Sequence, residues 1–344
     1  MRFGALKPIG VVAWFAGIAA CIGLSAWSGI NDVENAVASV GWGAALVVLS
    51  RATTVSIAGA GWWLLLPGGR PLRLRAILLL RFIREGVNAL LPLTQVGGDI
   101  IGARLLTFWA VPGPLAAASV IIDVLVQAAT LFLFAALGIA MLIALGSDAT
   151  IAAVAAGSLA VAAPMLGAGF YVAQRRVGHR ILHFVLSRLK GDNNWRLLAT
   201  VDAVYQNLSM IYARRSQLAA SGIVHMIGWL VGVAEVLNVL SCMGQSVTVG
   251  EALVIESLVQ AVRGAAFTIP SALGAQEGGL ILLCGIFQIP PDQALALSLI
   301  KRAADLVIGV PGLVALQILE GERLAANYSR RGGQPQMSLD LKSD

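Results

Sequence analysis

The chain has 344 residues, of which 58% are apolar and only 12% charged, where a soluble domain carries about 25% charged residues. With a mean hydropathy of +0.83, it is excluded as a soluble globular protein, a disordered chain or a disulfide scaffold. The net charge of +6 does not indicate nucleic acid, because the basic residues gather in the polar loops of a chain that otherwise occupies the bilayer.

A spanning helix needs about 20 mostly apolar residues, and six stretches qualify, at roughly 10–30, 37–66, 115–145, 149–173, 217–244 and 292–319. Arg2 and Lys7 precede the first. That start resembles a secretory signal, and Ile18-Ala19-Ala20-Cys21 imitates a lipoprotein cleavage box. The apolar run nevertheless continues to Ile30, which predicts an uncleaved anchor. Arg70, Arg73 and Arg75 follow the second span, eight basic residues from Arg175 to Arg215 lie in the 174–216 segment, and Arg323, Arg330, Arg331 and Lys342 lie in the tail at 321–344. Seventeen of the 24 basic residues therefore fall on one side, whereas the opposite loops at 31–36, 146–150, 245–250 and 288–291 hold none and carry Asp32, Glu34 and Asp148. The positive-inside rule then predicts cytoplasmic N- and C-termini. Trp27 and Trp42 sit near outer span ends, and Trp62, Trp63 and Trp109 near inner ones, where interfacial anchors belong.

In the 174–216 segment, Trp195, Leu198, Val201, Tyr205, Leu208 and Tyr212 recur at three- and four-residue steps. They predict one amphipathic helix, lying on the cytoplasmic membrane surface or packed against the bundle. His179, His183 and His225 lack ligand spacing and receive no role. Cys21, Cys242 and Cys284 fall in or beside apolar stretches and read as small buried hydrophobes, so no metal site, disulfide, cofactor or catalytic residue is expected.

Two further apolar regions, about 76–110 and 251–287, are broken by Pro and Gly. Shifting the chain by 178 places Pro92 on Pro270, Asp99 on Glu277, Val111-Pro112 on Ile289-Pro290, and Ala116 and Ala118 on Ala294 and Ala296. Each unit, at about 76–145 and 251–320, reads as helix, Pro break, small residues, carboxylate, short helix, Pro turn and long helix. Three spans separate the two broken regions, an odd number, so the second unit is expected inverted relative to the first. Pro92 and Pro270 remove a backbone donor and clash with the preceding turn, while Gly97, Gly98 and Gly274 weaken helix continuation. The expected fold is an all-α polytopic membrane protein, a single domain over 1–320. It has six full spans plus two broken helical hairpins, read as re-entrant, in inverted repeat; two fully spanning arms per hairpin is the alternative.

Arg51, Arg81, Arg84, Arg104, Arg263, Lys301 and Arg302 lie within apolar segments, as do Glu85, Asp99, Asp123, Glu235, Glu256, Glu277 and Asp305. A charge at the bilayer centre costs at least about 2.5–3.5 kcal/mol, so these residues must pair or face water. Arg81, Arg84, Glu85 and Asn88 share one helical face, as do Glu256, Gln260 and Arg263. Together they predict a polar cavity between the hairpins that accepts a charged headgroup. Its expected substrate-binding residues are Arg81, Arg84, Glu85, Asn88, Asp99, Arg104, Asp123, Arg263, Glu277, Arg302 and Asp305. Arg51 and Arg81 have snorkelling as a bland alternative, Glu235 a helix–helix contact, and Asp99 a helix cap.

The blocks NALLPLTQVGGD and VPGPLAAASVIID, then IPSALGAQEGG and ALALSLIKRAADLVIGVPGL, resemble the membrane region of the lysylphosphatidylglycerol synthases, a flippase-like family, over about 10–320. The second block is most similar to the hopanoid-biosynthesis-associated branch. Carried over by motif are Asn88, Pro92, Gly97, Gly98, Asp99 and Asp123, then Pro270, Gly274, Glu277, Arg302, Asp305 and Pro311. The resemblance implies a lipid translocase of the bacterial inner membrane, with membrane lipids and hopanoid or other lipid-biosynthesis proteins as partners. A scaffold for lipid enzymes and a membrane-embedded lipid-modifying enzyme are the alternatives. Two departures stand out. Only about 25 residues follow the last helix, so the soluble aminoacyl-transfer domain of the synthases is not expected. The Pro-Gly-Gly often found at the second break is Pro270-Ser271-Ala272 here.

Overall fold

The computed structural model describes residues 30–67, 72–91, 97–146, 194–266 and 269–332, with Ala153 and Gly157. The spans expected at 10–30 and 149–173, the 174–193 part of the polar segment, Pro92 with its neighbours to Val96, and the tail beyond 332 lie outside these residues. Every regular element among the described residues is helical. They are α1 (Ile30–Val40), α2 (Gly43–Leu65), α3 (Leu74–Leu90), α4 (Gly97–Leu106), α5 (Gly113–Ala144), α6 (Asn194–Ala213), α7 (Arg215–Cys242), α8 (Val249–Ala265), α9 (Ala275–Ile286) and α10 (Pro291–Gly332). Four are long and apolar enough to cross a membrane: α2, α5, α7 and the Pro291–Arg323 part of α10.

Local chemistry sets the helix ends. The chain turns at Gly41, whose φ of +48° suits a residue without Cβ. The 31–36 segment, expected as a loop, is therefore part of α1, and the second span begins at Gly43 instead of 37. Helix α3 stops at Leu90 because Leu91 precedes a proline and is held extended, at φ −89° and ψ 140°. A capping box opens α8: the Thr248 N–H donates to Glu251 Oε2 at 2.7 Å, and the Glu251 N–H donates to Thr248 Oγ1 at 3.3 Å. Proline starts α10 at Pro291, where a missing N–H costs nothing.

The helices pack in exchanged pairs, α3 along α10 and α8 along α5, with α2 against α7 between them. Helices α2 and α7 run antiparallel. Asn238 near the end of α7 donates to the Gly43 carbonyl at the start of α2, whereas Gly61 near the end of α2 faces His225 near the start of α7. Helices α3 and α10 approach to backbone contact. A Cβ on Gly86 would sit 2.5 Å from the Gly309 carbonyl oxygen.

Two main apolar clusters form. One gathers Val47, Phe134, Val236, Val259, Leu280 and Leu297, around α8 and α9. The other gathers Trp62, Ile83, Leu105, Leu115, Leu208 and Ile211, around α3 and α4. Leu208 and Ile211 are buried there, so the described end of the amphipathic segment packs on the bundle beside α5 instead of lying free on the membrane. The buried and half-buried charged residues of α2, α3, α5, α7, α8 and α10 pair with one another across these helices.

Candidate functional site

The charged side chains of α3 occupy successive turns of one face, and α2, α5, α7, α8 and α10 close around them. Together they enclose a cavity of about 690 Å³. Its wall includes Arg51, Arg81, Arg84, Glu85, Asn88, Asp99, Arg263, Arg302 and Asp305, with Gln127, His225 and Gln260. Ten of the eleven expected binding residues are thus brought together: eight line the cavity, and Asp123 and Glu277 stand directly behind its arginines.

In the first hairpin, Arg84 is the hub. Its Nη2 and Nε donate to Asp99 Oδ1 at 2.6 and 3.0 Å, and its Nη1 donates to Asp123 Oδ2 at 2.9 Å. The Trp62 ring lies 4.6 Å from the guanidinium carbon, a cation–π support. Arg81 donates to Asp123 at 3.4 Å and to Gln127 at 3.0 Å. Asp123 is wholly buried and also contacts His225 Nε2 at 3.2 Å. Asn88 accepts the Gly98 N–H at 2.7 Å, satisfying a first-turn donor of α4. Gly98 has no room for a side chain, since a Cβ would lie 2.2 Å from the Arg84 carbonyl oxygen.

In the second hairpin the roles are exchanged. Glu277 of α9 is the buried acid, and Arg302 of α10 meets it with Nε at 2.5 Å and Nη2 at 3.0 Å. Glu277 also accepts from Ser298 and from the Gly274 N–H. Arg302 Nη1 reaches the Ser271 carbonyl at 3.2 Å. At this break Ser271 and Ala272 hold φ of +52° and +49°, the left-handed region that glycine favours. The Ser271 hydroxyl donates to the Ala89 carbonyl at 2.6 Å, so the second break abuts the end of α3.

A third group ties the halves together. Arg51 bridges Glu85 at 2.7 Å and Asp305 at 2.5 Å, and Arg263 faces Asp305 at 3.7 Å. Lys301 sits between Glu235 at 2.8 Å and Glu256 at 2.9 Å. Arg51 and Arg81 therefore do not snorkel: both are drawn inward by carboxylates. Arg104 is the correction among the expected binding residues. It lies outside the cavity, its side chain 53% exposed, and pairs with Glu320 at 2.8 Å, on the face of α4 away from the buried Leu105 and Leu106. Sequence reasoning missed His225 and Gln127. Gln127 lies one turn beyond Asp123 and was within reach of the spacing argument; His225 carries no local signal, since its partner is on another helix. Among the described residues no group of three or more His, Cys, Asp or Glu side chains is placed to hold a metal ion.

No curated protein and no solved structure matches the chain. The family described as the lysylphosphatidylglycerol synthase TM region matches residues 14–312. The match over most of the chain, with four described helices long and apolar enough to cross a membrane, places this polytopic membrane protein in the lysylphosphatidylglycerol synthase TM region family.

Proposed function

We propose that the protein is a lipid translocase of the bacterial inner membrane, with both termini cytoplasmic, and that the cavity carries a lipid headgroup between leaflets. The observation that carries this reading is a charged chamber lined from helices whose exposed residues are largely apolar. Leu306 and Val124 line the cavity and are also well exposed, at 52% and 39%. That combination suits a molecule with a polar head and chains left in lipid.

The reading includes an inverted repeat of the units at about 76–145 and 251–320, α3–α5 and α8–α10. Three observations support it. Helices α4 and α5 start at Gly97 and Gly113, and α9 and α10 start 178 residues later at Ala275 and Pro291. Ala110 and Gln288, also 178 apart, share φ of +58° and +59°. The exchanged pairs α3/α10 and α8/α5 suit a two-fold axis, and the antiparallel run of α2 and α7 suits one that reverses direction. The hairpins are read as re-entrant. The 10 residues of α4 and 12 of α9 reach only about 15–18 Å at 1.5 Å each, short of the roughly 30 Å hydrocarbon core. Transport would follow as the two halves rock about the cavity.

The test is leaflet-resolved lipid movement in proteoliposomes. Asp99→Asn and Glu277→Gln should each slow it at least about tenfold, a loss of 1.4 kcal/mol or more in transition-state stabilisation. Unchanged movement in both variants, with the folded protein recovered, would sink the mechanism.

A further inference from the structure

The charges on the cavity wall are not equally committed, and that asymmetry bears on which headgroup fits. Each wall carboxylate already faces an arginine: Glu85 with Arg51, Asp99 with Arg84, and Asp305 between Arg51 and Arg263. The arginines are less evenly used. Arg84 and Arg302 spend three nitrogens each on carboxylates and carbonyls. Arg263 makes no hydrogen bond with any described residue; its one ionic neighbour, Asp305, is at 3.7 Å, beyond hydrogen-bond range. It stands in the last turn of α8 beside the second break, and its side chain is 19% exposed, toward the cavity.

A guanidinium with free N–H groups in a chamber of this size wants an acceptor, and bidentate binding of phosphate is what its fork geometry serves best. A headgroup ammonium, by contrast, would find no wall carboxylate that is not already opposite an arginine. The apolar residues Leu90, Leu131, Leu273 and Leu306 complete the lining and give acyl chains a way into the bilayer. Helices α5 and α10 bear half-exposed Val124 and Leu306 beside this lining. Resting on the translocase reading, we infer that the cavity selects a lipid with an anionic phosphate headgroup and no ammonium group, received by Arg263.

Arg263 allows a clean test because its loss breaks no hydrogen bond in the resting protein. Purified protein in a neutral detergent is heated with short-chain phosphatidylglycerol, phosphatidic acid, phosphatidylethanolamine, lysylphosphatidylglycerol or soluble glycerol phosphate, and the midpoint of unfolding is followed. The anionic lipids should raise it, and the two ammonium lipids should need at least about tenfold higher concentration for the same shift. Arg263→Gln loses only the 3.7 Å pair with Asp305, which Arg51 still holds, so it should lower the ligand-free midpoint far less than Asp123→Asn while abolishing this preference; Arg263→Lys should restore part of it. Equal responses to all lipids, a preference for an ammonium lipid, an undiminished preference in Arg263→Gln, or stabilisation by glycerol phosphate equal to that by the lipids would each overturn the inference. Selective binding without leaflet-to-leaflet movement of the bound lipid in proteoliposomes would instead remove the translocase reading and leave the binding site standing.

Discussion

Asp123 shows how a single residue organises the first half of the site. It has no exposure, and it stands against Arg81, Arg84 and His225 at once. Removing one partner from a buried ionic cluster leaves the others uncompensated, a loss of about 3–5 kcal/mol. Asp123→Asn should therefore lower the unfolding midpoint sharply in detergent. Arg104→Gln, at an exposed pair, should change stability by less than about 1 kcal/mol; a comparable loss in both would contradict the distinction between core and surface charges. Ala272 makes the opposite case. Its left-handed φ of +49° is a conformation that costs a non-glycine residue on the order of 1 kcal/mol. Ala272→Gly should relieve that cost and raise the midpoint, and a fall would show that the Ala272 methyl packs more than it strains.

Between residues and the whole bundle stand the hairpins, whose equivalence is one of backbone and not of charge. Both have a 17-residue first arm, then a short helix and a turn into a long one. Ala116, Ala118, Ala294 and Ala296 are buried at matching positions. Yet Asp123 is matched at the 178-residue offset by Lys301, an acid by a base. The hairpin supplies the cation in the first half, Arg84, and the acid in the second, Glu277. Each hairpin is locked to a helix of the other half, α3 at Gly86 against Gly309 of α10. A methyl group there meets backbone that cannot yield, so Gly86→Ala should cost about 1–3 kcal/mol. Gly285 in α9 has open space around it, and Gly285→Ala should instead stabilise by up to about 1 kcal/mol through helix propensity. Thermal unfolding of the pair separates close packing from a general intolerance of added bulk.

At the scale of the molecule, the proposed inverted repeat would put the turn at Ala110 and the turn at Gln288 on opposite membrane faces. Single cysteines there, in a background with Cys21, Cys242 and Cys284 replaced by Ser, should react with an impermeant thiol reagent from opposite sides. Labelling of both from one side would defeat the inverted repeat and, with it, alternating access about a shared cavity.

Much of what depends on neighbours along the chain was legible in the sequence, though not all of it, since the 31–36 segment read as a loop is helical. Apolar run lengths marked α2, α5, α7 and α10 as spans, prolines and glycines marked the breaks, and helical spacing put Arg81, Arg84, Glu85 and Asn88 on one face. It also required the intramembrane charges to be paired, because lone ones are too costly in hydrocarbon. The tertiary structure alone decided which acid meets which base. Arg51 joins Glu85 to Asp305, Lys301 joins Glu235 to Glu256, and His225 reaches Asp123, each across helices distant in the chain. It also took Arg104 out of the site and left Arg263 with donors to spare. The reason is physical: periodicity reports the direction a side chain takes from its own helix, whereas an ion pair depends on how two helices cross, which the packing of glycines and apolar side chains elsewhere in the bundle sets.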